Sequence, residues 1–304
     1  MYDEPAQENL HAEISAATDA LPPPPWAPAG EGLWARVYDL GDGTVLKIVR
    51  RHGGLGSGDA KLAREVKALE LLGGLTSAAI RVPRLIAHGF FENSYFGAGP
   101  ALAGWMRSER LPGLPLDDSG LWGLQPAERD RRGEDLGAAI AEFHQLATAR
   151  AGVPTMLGDS LARSIDEALA RISAPRQRAG LKRLKEMWLA GKGTPVFLHG
   201  DINFRNVLHQ RSGPASLVDF AETGSGVLEA DFRTLDTPGP LRDAIYRGYA
   251  AVSGAKPDPD RCRMAVAANA AVYLALHGES GHPREAFRRR AWLDEALRQA
   301  GVEE

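Results

Sequence analysis

The sequence predicts an α+β fold with two lobes, a small β-rich N-lobe and a larger, mainly helical C-lobe. A chain of 304 residues is long for one compact core, so two lobes are expected. Alternation of apolar and polar residues, which is typical of strands, is concentrated in the first third, and helical periodicity dominates the rest. The segment RLPGLPL (110–116) interrupts both patterns. We therefore divide the chain into an N-terminal extension (1–25), an N-lobe (26–107) and a C-lobe (108–304).

Composition places the chain among globular proteins and argues against two classes of partner. A hydrophobic content of 44% and a charged content of 25% are ordinary for such proteins. The formal net charge of -3 lacks the basic excess of a general nucleic-acid binder. The longest mostly apolar stretch (264–276) is too short to span a bilayer. We expect no nucleic-acid partner and no membrane role.

Cysteine usage and the N-terminus predict a cytoplasmic location. The chain has one cysteine, Cys262, so an internal disulfide is excluded, which fits a reducing compartment. The first twenty residues are acidic and lack the basic-then-apolar order of a signal peptide.

The N-lobe begins with local signals that place two candidate site residues. Residues 8–21 show helical periodicity, which ends at PPPPW (22–26) because four prolines cannot continue a helix. WARVYDL and TVLKIV alternate on either side of GDG, which predicts a β-hairpin with Lys47 in its second strand. Apolar residues at helical spacing then predict a helix over 59–75 that carries Glu65.

Further strands and a series of helices follow. Residues 81–108 predict one or two strands with a loop between them. Helical patterns cover 126–147, 160–190 and most of the chain from 240 onward. In the last helix, Leu293, Leu297 and Phe287 are the predicted buried positions.

The segment HGDINFRNVL (199–208) carries the strongest chemical signal. Phosphoryl transfer to a hydroxyl needs a base for the hydroxyl, oxygen ligands for magnesium and a cation on the inner phosphates. Asp201 can accept the hydroxyl proton, and Asn206 can give an amide oxygen to the metal. Asp219, at the end of the strand-like SLVDF, can give a carboxylate to the same metal, and Lys47 can reach the phosphates. The pattern predicts a kinase.

A carboxylate on the predicted N-lobe helix is expected to hold Lys47. Glu65 can pair with the Lys47 ammonium and fix its position. Glu70 lies on the same helix, and the slight preference for Glu65 rests on its place beside Val66 in the apolar stripe.

These motifs resemble the aminoglycoside phosphotransferase and choline kinase family, which shares the protein-kinase-like fold. HGDINFRNVL resembles the catalytic loop of that family, and LVDFAETGSGVLEADF resembles its metal loop and the segment after it. Weaker matches are ERLPGLPL (109–116), which resembles the lobe connector, and LGAAIAEFHQL (136–146), which resembles the helix before the catalytic loop. The resemblance covers most of residues 30–235.

The resemblance implies the ligands and further roles. ATP or GTP with Mg²⁺ is expected in the cleft between the lobes, with the base docking on the connector near 107–111, where Glu109 and Leu111 are the candidate contacts. The acceptor is expected to be a small molecule with a hydroxyl group. His199 is expected to brace the loop, and Asp231 to buttress it from the segment EADF.

Departures from the pattern leave several roles open. AGEGLWARVY has no GxGxxG, so Gly32 is only a weak candidate for approaching phosphate. No Arg follows His199 and no APE-like segment follows LVDF, which favours a small-molecule kinase over a protein kinase. Glu222 and Glu229 can contact a cationic acceptor or be ordinary surface charges.

Two rival functions come from other classes. A non-catalytic, kinase-like nucleotide-binding protein would explain the missing glycine-rich signature, although the base and metal positions are all present. A metal-dependent hydrolase would need a tight His/Asp cluster, whereas the histidines other than His199 and His209 are scattered along the chain.

Overall fold

The computed structural model confirms the α+β prediction. The described chain divides into two compact units, which we call the N unit (Met1–Leu75 and Val82–Pro112) and the C unit (Thr76–Arg81 and Gly113–Glu304). The structure describes residues 7–16, 21–52, 56–91, 101–116, 121, 123–152, 159–191, 193, 195–210, 213–235, 239–277 and 283–302.

The N unit is built on a five-stranded antiparallel sheet of order β1-β2-β3-β6-β5. The predicted hairpin forms β2 and β3, and the region 81–108 supplies β5 and β6. A strand over 27–31, β1, was not predicted. Its five residues are all exposed, so it carries no apolar alternation by which it could be found. The strands are β1 (Ala27–Glu31), β2 (Ala35–Asp39), β3 (Thr44–Arg50), β5 (Leu85–Phe90) and β6 (Leu102–Glu109).

One face of this sheet packs against the N-terminal segment. Helix α1 (Gln7–Ser15) buries Leu10 and Ile14 in a cluster with Trp26 and Trp105. The Trp26 N–H donates to Gln7 Oε1 (2.7 Å), and Gln7 Nε2 donates to the Trp26 carbonyl oxygen (3.2 Å). The described part of the extension therefore belongs to the N-unit core.

The opposite face is covered by helix α2 (Gly58–Leu72), which packs on β3, β5 and β6. Leu62, Val66 and Leu69 are buried on this helix, as its apolar spacing predicts. Successive strand residues point to opposite faces of a sheet. Leu46 and Ile48 join the α1 cluster, so Lys47 between them points toward α2.

The C unit contains a small sheet of order β4-β10-β9-β7 and a strand pair, β11 with β8. Strands β9 and β10, which both follow the HGD motif in sequence, pair antiparallel with Val207 opposite Leu217. The strands are β4 (Ile80–Arg81), β7 (Leu114–Pro115), β8 (Val196–Leu198), β9 (Val207–His209), β10 (Ala215–Leu217) and β11 (Gly224–Gly226).

Helices dominate the C unit. Two of them, α3 and α6, pack closely because glycines face the neighbouring backbone. A Cβ at Gly137 would lie 1.9 Å from the Ile245 carbonyl oxygen, and a Cβ at Gly248 would lie 2.0 Å from that of Glu134. The helices are α3 (Pro126–Ala151), α4 (Ser160–Leu169), α5 (Pro175–Ala190), α6 (Gly239–Ser253), α7 (Pro259–His277) and α8 (Pro283–Gln299), with a 3₁₀-helix at Leu228–Phe232.

The last helix corrects one core prediction. Leu293 and Leu297 are buried, but 72% of Phe287 is exposed.

Within the described residues, no helix combines the length and apolar character that crossing a bilayer requires.

Candidate active site

In the N unit, the structure brings Lys47 and Glu65 together. Lys47 Nζ donates to Glu65 Oε2 over 2.6 Å, and the side chains are 14% and 4% exposed. Glu70, the alternative, lies 3.8 Å from His88 Nε2 on the helix surface. The shielded pair holds the ammonium at the middle of β3, where Lys47 stands opposite Val37 on one side and Met106 on the other.

Of the other N-unit candidates, Gly32 and Glu109 make backbone hydrogen bonds and Leu111 is buried. The Gly32 N–H donates to the Ala35 carbonyl (2.9 Å), and no atom lies within 4 Å of a Cβ built on Gly32. The Glu109 N–H donates to the Arg84 carbonyl (2.9 Å), so that N–H is engaged within the sheet. Leu111 is 8% exposed.

In the C unit, a fully buried carboxylate organises the turn that leads to Asp201. Asp231 accepts from the His199 N–H (2.9 Å) and from the Gly200 N–H (2.6 Å). His144 Nε2 donates to the same carboxylate over 3.0 Å. Burial opposes ionisation of Asp231, but the hydrogen bond from His144 and the other donors hold its pKa below the usual range. Asp231 thus has the anchoring position expected for it.

His199 braces the loop with both ring nitrogens. The Asp201 N–H donates to His199 Nδ1 over 3.3 Å, which leaves Nε2–H to donate to the Val218 carbonyl (3.0 Å). Burial lowers the pKa of His199, against the opposing effect of Asp231. A neutral ring is the form that can accept at one nitrogen and donate at the other.

The side chains of Asp201 and Asn206 are directly linked. Asn206 Nδ2 donates to Asp201 Oδ2 (3.0 Å) and to the Asp201 carbonyl (2.9 Å). The amide nitrogen therefore faces Asp201, and the amide oxygen points the other way. Asn203 closes the turn between them, because its Oδ1 accepts from the Arg205 N–H (2.9 Å) and the Asn206 N–H (3.2 Å).

Asp219 is tied to the same loop through the residue before it. The Val218 N–H donates to the Asn206 carbonyl (3.0 Å), and the Val218 carbonyl accepts from His199. Asp219 has φ 66, the one positive φ of a non-glycine residue in the described part of the chain. Such a backbone costs roughly 1–3 kcal/mol and is typical of functional sites. Its side chain is exposed.

The two acidic candidates for acceptor binding differ in their surroundings. Glu222 is half-buried, with Oε2 4.0 Å from an Arg163 guanidinium nitrogen. Glu229 is 6% exposed. It accepts from the Asp258 N–H (3.0 Å) and lies 3.7 Å from Arg261.

The surroundings of Glu229 favour a structural role at the start of α7 over the predicted acceptor contact. Asp236, the next acidic residue after EADF in the sequence, lies outside the described residues.

Two buried residues at this site had no signal in the sequence. Arg233 donates to Ser164 Oγ (2.8 Å) and to the Gly200 carbonyl. Arg233 immediately follows EADF, and Ser164 lies in an unremarkable helix. Their contact joins residues 69 positions apart, so only the tertiary structure reveals it.

The two candidate metal ligands at this site are hard oxygen donors. Among the described side chains, no group of three or more His, Cys, Asp or Glu residues is placed to hold a metal ion. Asn206 and Asp219 offer an amide and a carboxylate oxygen. Mg²⁺ is usually held by one or two carboxylates together with water and substrate phosphates.

Comparison with solved structures gives matches over nearly the whole chain. Aminoglycoside 2'-phosphotransferase-IIIa with GDP is 17% identical, with a TM-score of 0.61, covering 97% of this chain and 98% of that chain. A choline/ethanolamine kinase family protein from Mesorhizobium loti is 16% identical, with a TM-score of 0.61 and coverages of 97% and 93%. The streptomycin–ATP–APH(2")-IIa ternary complex is 13% identical, with a TM-score of 0.62 and coverages of 94% and 94%. These likenesses show the shared fold.

A search of curated protein sequences gives no significant match. The family profile described as "Phosphotransferase enzyme family" (APH) matches residues 25–265, which include Lys47, the HGD loop and Asp219. This match covers most of the 304 residues. The chain belongs to the phosphotransferase enzyme family and is a phosphotransferase that acts on a hydroxyl group.

Proposed function

We propose that the chain is a small-molecule kinase that transfers the γ-phosphoryl group of ATP or GTP to a hydroxyl of a small acceptor. The observation that carries this proposal is the hydrogen-bonded set in the C unit. Asp201 and Asn206 are joined over 3.0 Å, and Val218 ties the Asp219 segment to the same loop. Phosphoryl transfer needs a base and oxygen ligands held in this way.

Asp201 is the proposed base. Its backbone is held by His199 and its carboxylate by Asn206. Asp201 is half-buried, so the residue is not sealed off from an incoming hydroxyl. A positioned carboxylate orients the hydroxyl and takes up its proton as the oxygen attacks phosphorus.

Asn206 and Asp219 are the proposed magnesium ligands. The Asn206 amide oxygen is turned away from Asp201, because the amide nitrogen is the atom that donates to Asp201. Both residues offer hard oxygens, which fit Mg²⁺. When bound, Mg²⁺ would neutralise charge on the nucleotide phosphates.

Lys47 is the proposed cation for the inner phosphates. Glu65 fixes its ammonium in a shielded position, so the lysine loses little further side-chain freedom on binding phosphate. The exposed turn at Gly32 and the connector residues Glu109 and Leu111 are proposed nucleotide contacts. At Glu109 the contact must use a group other than its engaged N–H.

The acceptor is proposed to be a small, hydroxyl-bearing molecule, with Glu222 as a candidate contact for a cationic group. The two structural relatives with aminoglycoside names and the choline/ethanolamine kinase relative make amine-bearing acceptors the first class to test. We further propose a cytoplasmic enzyme without nucleic-acid partners, which the single cysteine and the net charge of -3 favour.

The test is release of nucleoside diphosphate with Mg²⁺ and ATP or GTP across a panel of aminoglycosides, choline, ethanolamine, homoserine and amino sugars. Asp201→Asn should lower kcat about 10²–10⁴-fold, the usual loss for a general base, while nucleotide affinity stays near that of the wild type. Asp166→Asn is the matched control, because Asp166 is an exposed C-unit carboxylate that pairs with Lys185.

Two outcomes would contradict the proposal. Unchanged turnover in Asp201→Asn would remove the base assignment. Binding of Mg²⁺–nucleotide without transfer to any acceptor would instead favour the non-catalytic alternative.

A further inference from the structure

We propose that Arg233 is a positioning residue that fixes the peptide group before Asp201 and thereby aims the Asp201 carboxylate. The catalytic part of this inference rests on the proposed function, in which Asp201 is the base. The conformational part concerns the loop alone and can be tested without any acceptor.

The Arg233 guanidinium is buried and divided between two acceptors. Arg233 is 5% exposed. One terminal nitrogen donates to Ser164 Oγ (2.8 Å), and the other donates to the Gly200 carbonyl oxygen. Ser164 is itself anchored, because its hydroxyl also contacts the Ser160 carbonyl (3.1 Å) on the same helix. The planar, rigid fork of arginine suits two separate acceptors, whereas lysine offers a single point charge.

Arg233 acts on the peptide group that joins Gly200 to Asp201. The carbonyl of that peptide accepts from Arg233, and its N–H, which belongs to Asp201, donates to His199 Nδ1. The two preceding N–H groups, of His199 and Gly200, donate to Asp231. Buried side chains thus hold successive peptide groups in their orientations up to the base.

The loop needs such restraint because glycine is conformationally free. Gly200 has φ 83, and glycine populates positive and negative φ about equally, so contacts must select this conformation. Thr234 Oγ1 adds a further restraint by donating to the Ile202 carbonyl. The short segment 231–234 therefore contacts backbone groups on both sides of Asp201.

The charge of Arg233 is also significant. A buried guanidinium is costly unless it is paired and hydrogen-bonded. Both terminal nitrogens of Arg233 are hydrogen-bonded, while its buried Nε has no partner among the described residues. The fully buried carboxylate of Asp231, two positions earlier in the chain, binds the other side of the same turn at Gly200. Asp231 orients two N–H groups and Arg233 orients a carbonyl, so the two restraints are complementary.

The test compares Arg233→Lys with Arg247→Lys. Arg233→Lys keeps the charge and removes the fork. Arg247 pairs with Glu134 on the exposed face of the C unit and provides the control. Amide hydrogen exchange should rise about tenfold or more in residues 199–203 of Arg233→Lys, while the amides of 136–147 in α3 keep the wild-type rate. Arg247→Lys should match the wild type in both segments.

Kinetics supply the second readout. A displacement of about 1 Å at a reacting group can cost about 10²-fold. Arg233→Lys should therefore lower kcat roughly tenfold to a hundredfold per folded molecule, with the nucleotide KM within about twofold of the wild type. Ser164→Ala removes one of the two acceptors and should give a smaller loss of kcat in the same direction.

The outcomes separate the inference from the proposed function. Unchanged exchange in residues 199–203, or an equal rise in every C-unit segment, would overturn the positioning role. Faster local exchange with an unchanged kcat in an active enzyme would also overturn it. A wild-type protein that transfers no phosphate would contradict the proposed function, while the exchange comparison would still decide whether Arg233 fixes the loop. Should Arg233→Lys fail to fold, Ser164→Ala decides by the same two measurements.

Discussion

Replacing Gly200 with alanine should disturb the turn before Asp201 more than any loss of a side-chain contact there. Gly200 has φ 83, and a Cβ built on it would lie 2.0 Å from the Glu222 carbonyl oxygen and 2.5 Å from its carbon. Ordinary van der Waals contacts begin at 3.4 Å, so the backbone of one segment must move by more than about 1 Å, because protein interiors leave little free space.

The expected loss of stability has two parts. A left-handed backbone costs alanine about 1–2 kcal/mol relative to glycine. Forcing a group into a filled space costs about 1–3 kcal/mol more. Gly200→Ala should therefore lower the free energy of unfolding by about 2–5 kcal/mol.

The matched control is Gly254→Ala. Gly254 also has a left-handed backbone, with φ 72, but no atom lies within 4 Å of its Cβ position. It follows α6, where its N–H donates to the Ala250 carbonyl (3.0 Å). This variant should show the backbone cost alone, about 1–2 kcal/mol. The difference between the two variants isolates the contact with Glu222.

Urea unfolding followed by circular dichroism is the assay, read as a change in midpoint at an unchanged m-value. Gly200→Ala should also lower kcat, because the displaced peptide group leads directly into Asp201. Equal stabilities of the two variants would show that the close approach to Glu222 is absent in solution. That result would refute the geometry on which the site rests.

Three further predictions test other parts of the structure. Lys47→Met should lower the free energy of unfolding by about 3–5 kcal/mol, because it removes the ammonium that pairs with the buried Glu65 carboxylate. Urea unfolding checks this, and Lys47→Met/Glu65→Leu should recover part of the loss. Burial lowers the pKa of His199 below its unfolded value of about 6.5, so the unfolded chain binds the proton first as the pH falls. The stability that neutral His199 contributes is therefore fully present above about pH 6.5 and is lost as the pH falls toward the pKa of the folded state. In His199→Gln, which keeps a donor toward Val218, the unfolding free energy should depend less on pH between about pH 7.5 and 5.5 than in the wild type. Ile14→Ala, at a fully buried position of α1, should cost about 2–5 kcal/mol in urea unfolding, and a change below about 0.5 kcal/mol would show that α1 is not part of the N-unit core.

Where local pattern and tertiary packing agree, the sequence was sufficient to predict which side chains come together. The period-2 alternation around Lys47 and the helical stripe around Glu65 put the two side chains on facing surfaces, and the structure joins them over 2.6 Å. Residue type and spacing in HGDINFRN likewise assigned Asp201 and Asn206 to one candidate site, and the structure joins their side chains over 3.0 Å.

Where a role depends on surroundings, the sequence was insufficient. Glu229 and Glu222 are both acidic residues near the metal loop, but only Glu229 is buried against Arg261 and the start of α7. Phe287 has the helical spacing of a core residue and is nevertheless exposed. Periodicity identifies a face of a helix, but not whether another element covers it.

Residue types at short spacing were sufficient to predict the α+β class, the family motifs and the candidate base and metal ligands. How the turn before Asp201 is held follows only from the tertiary packing. Asp231 and Arg233 reach Gly200 across separations of 31 and 33 residues. Arg233 is held in turn by Ser164, 69 residues away. Long-range contacts of this kind depend on the packing of whole helices, which no local pattern encodes.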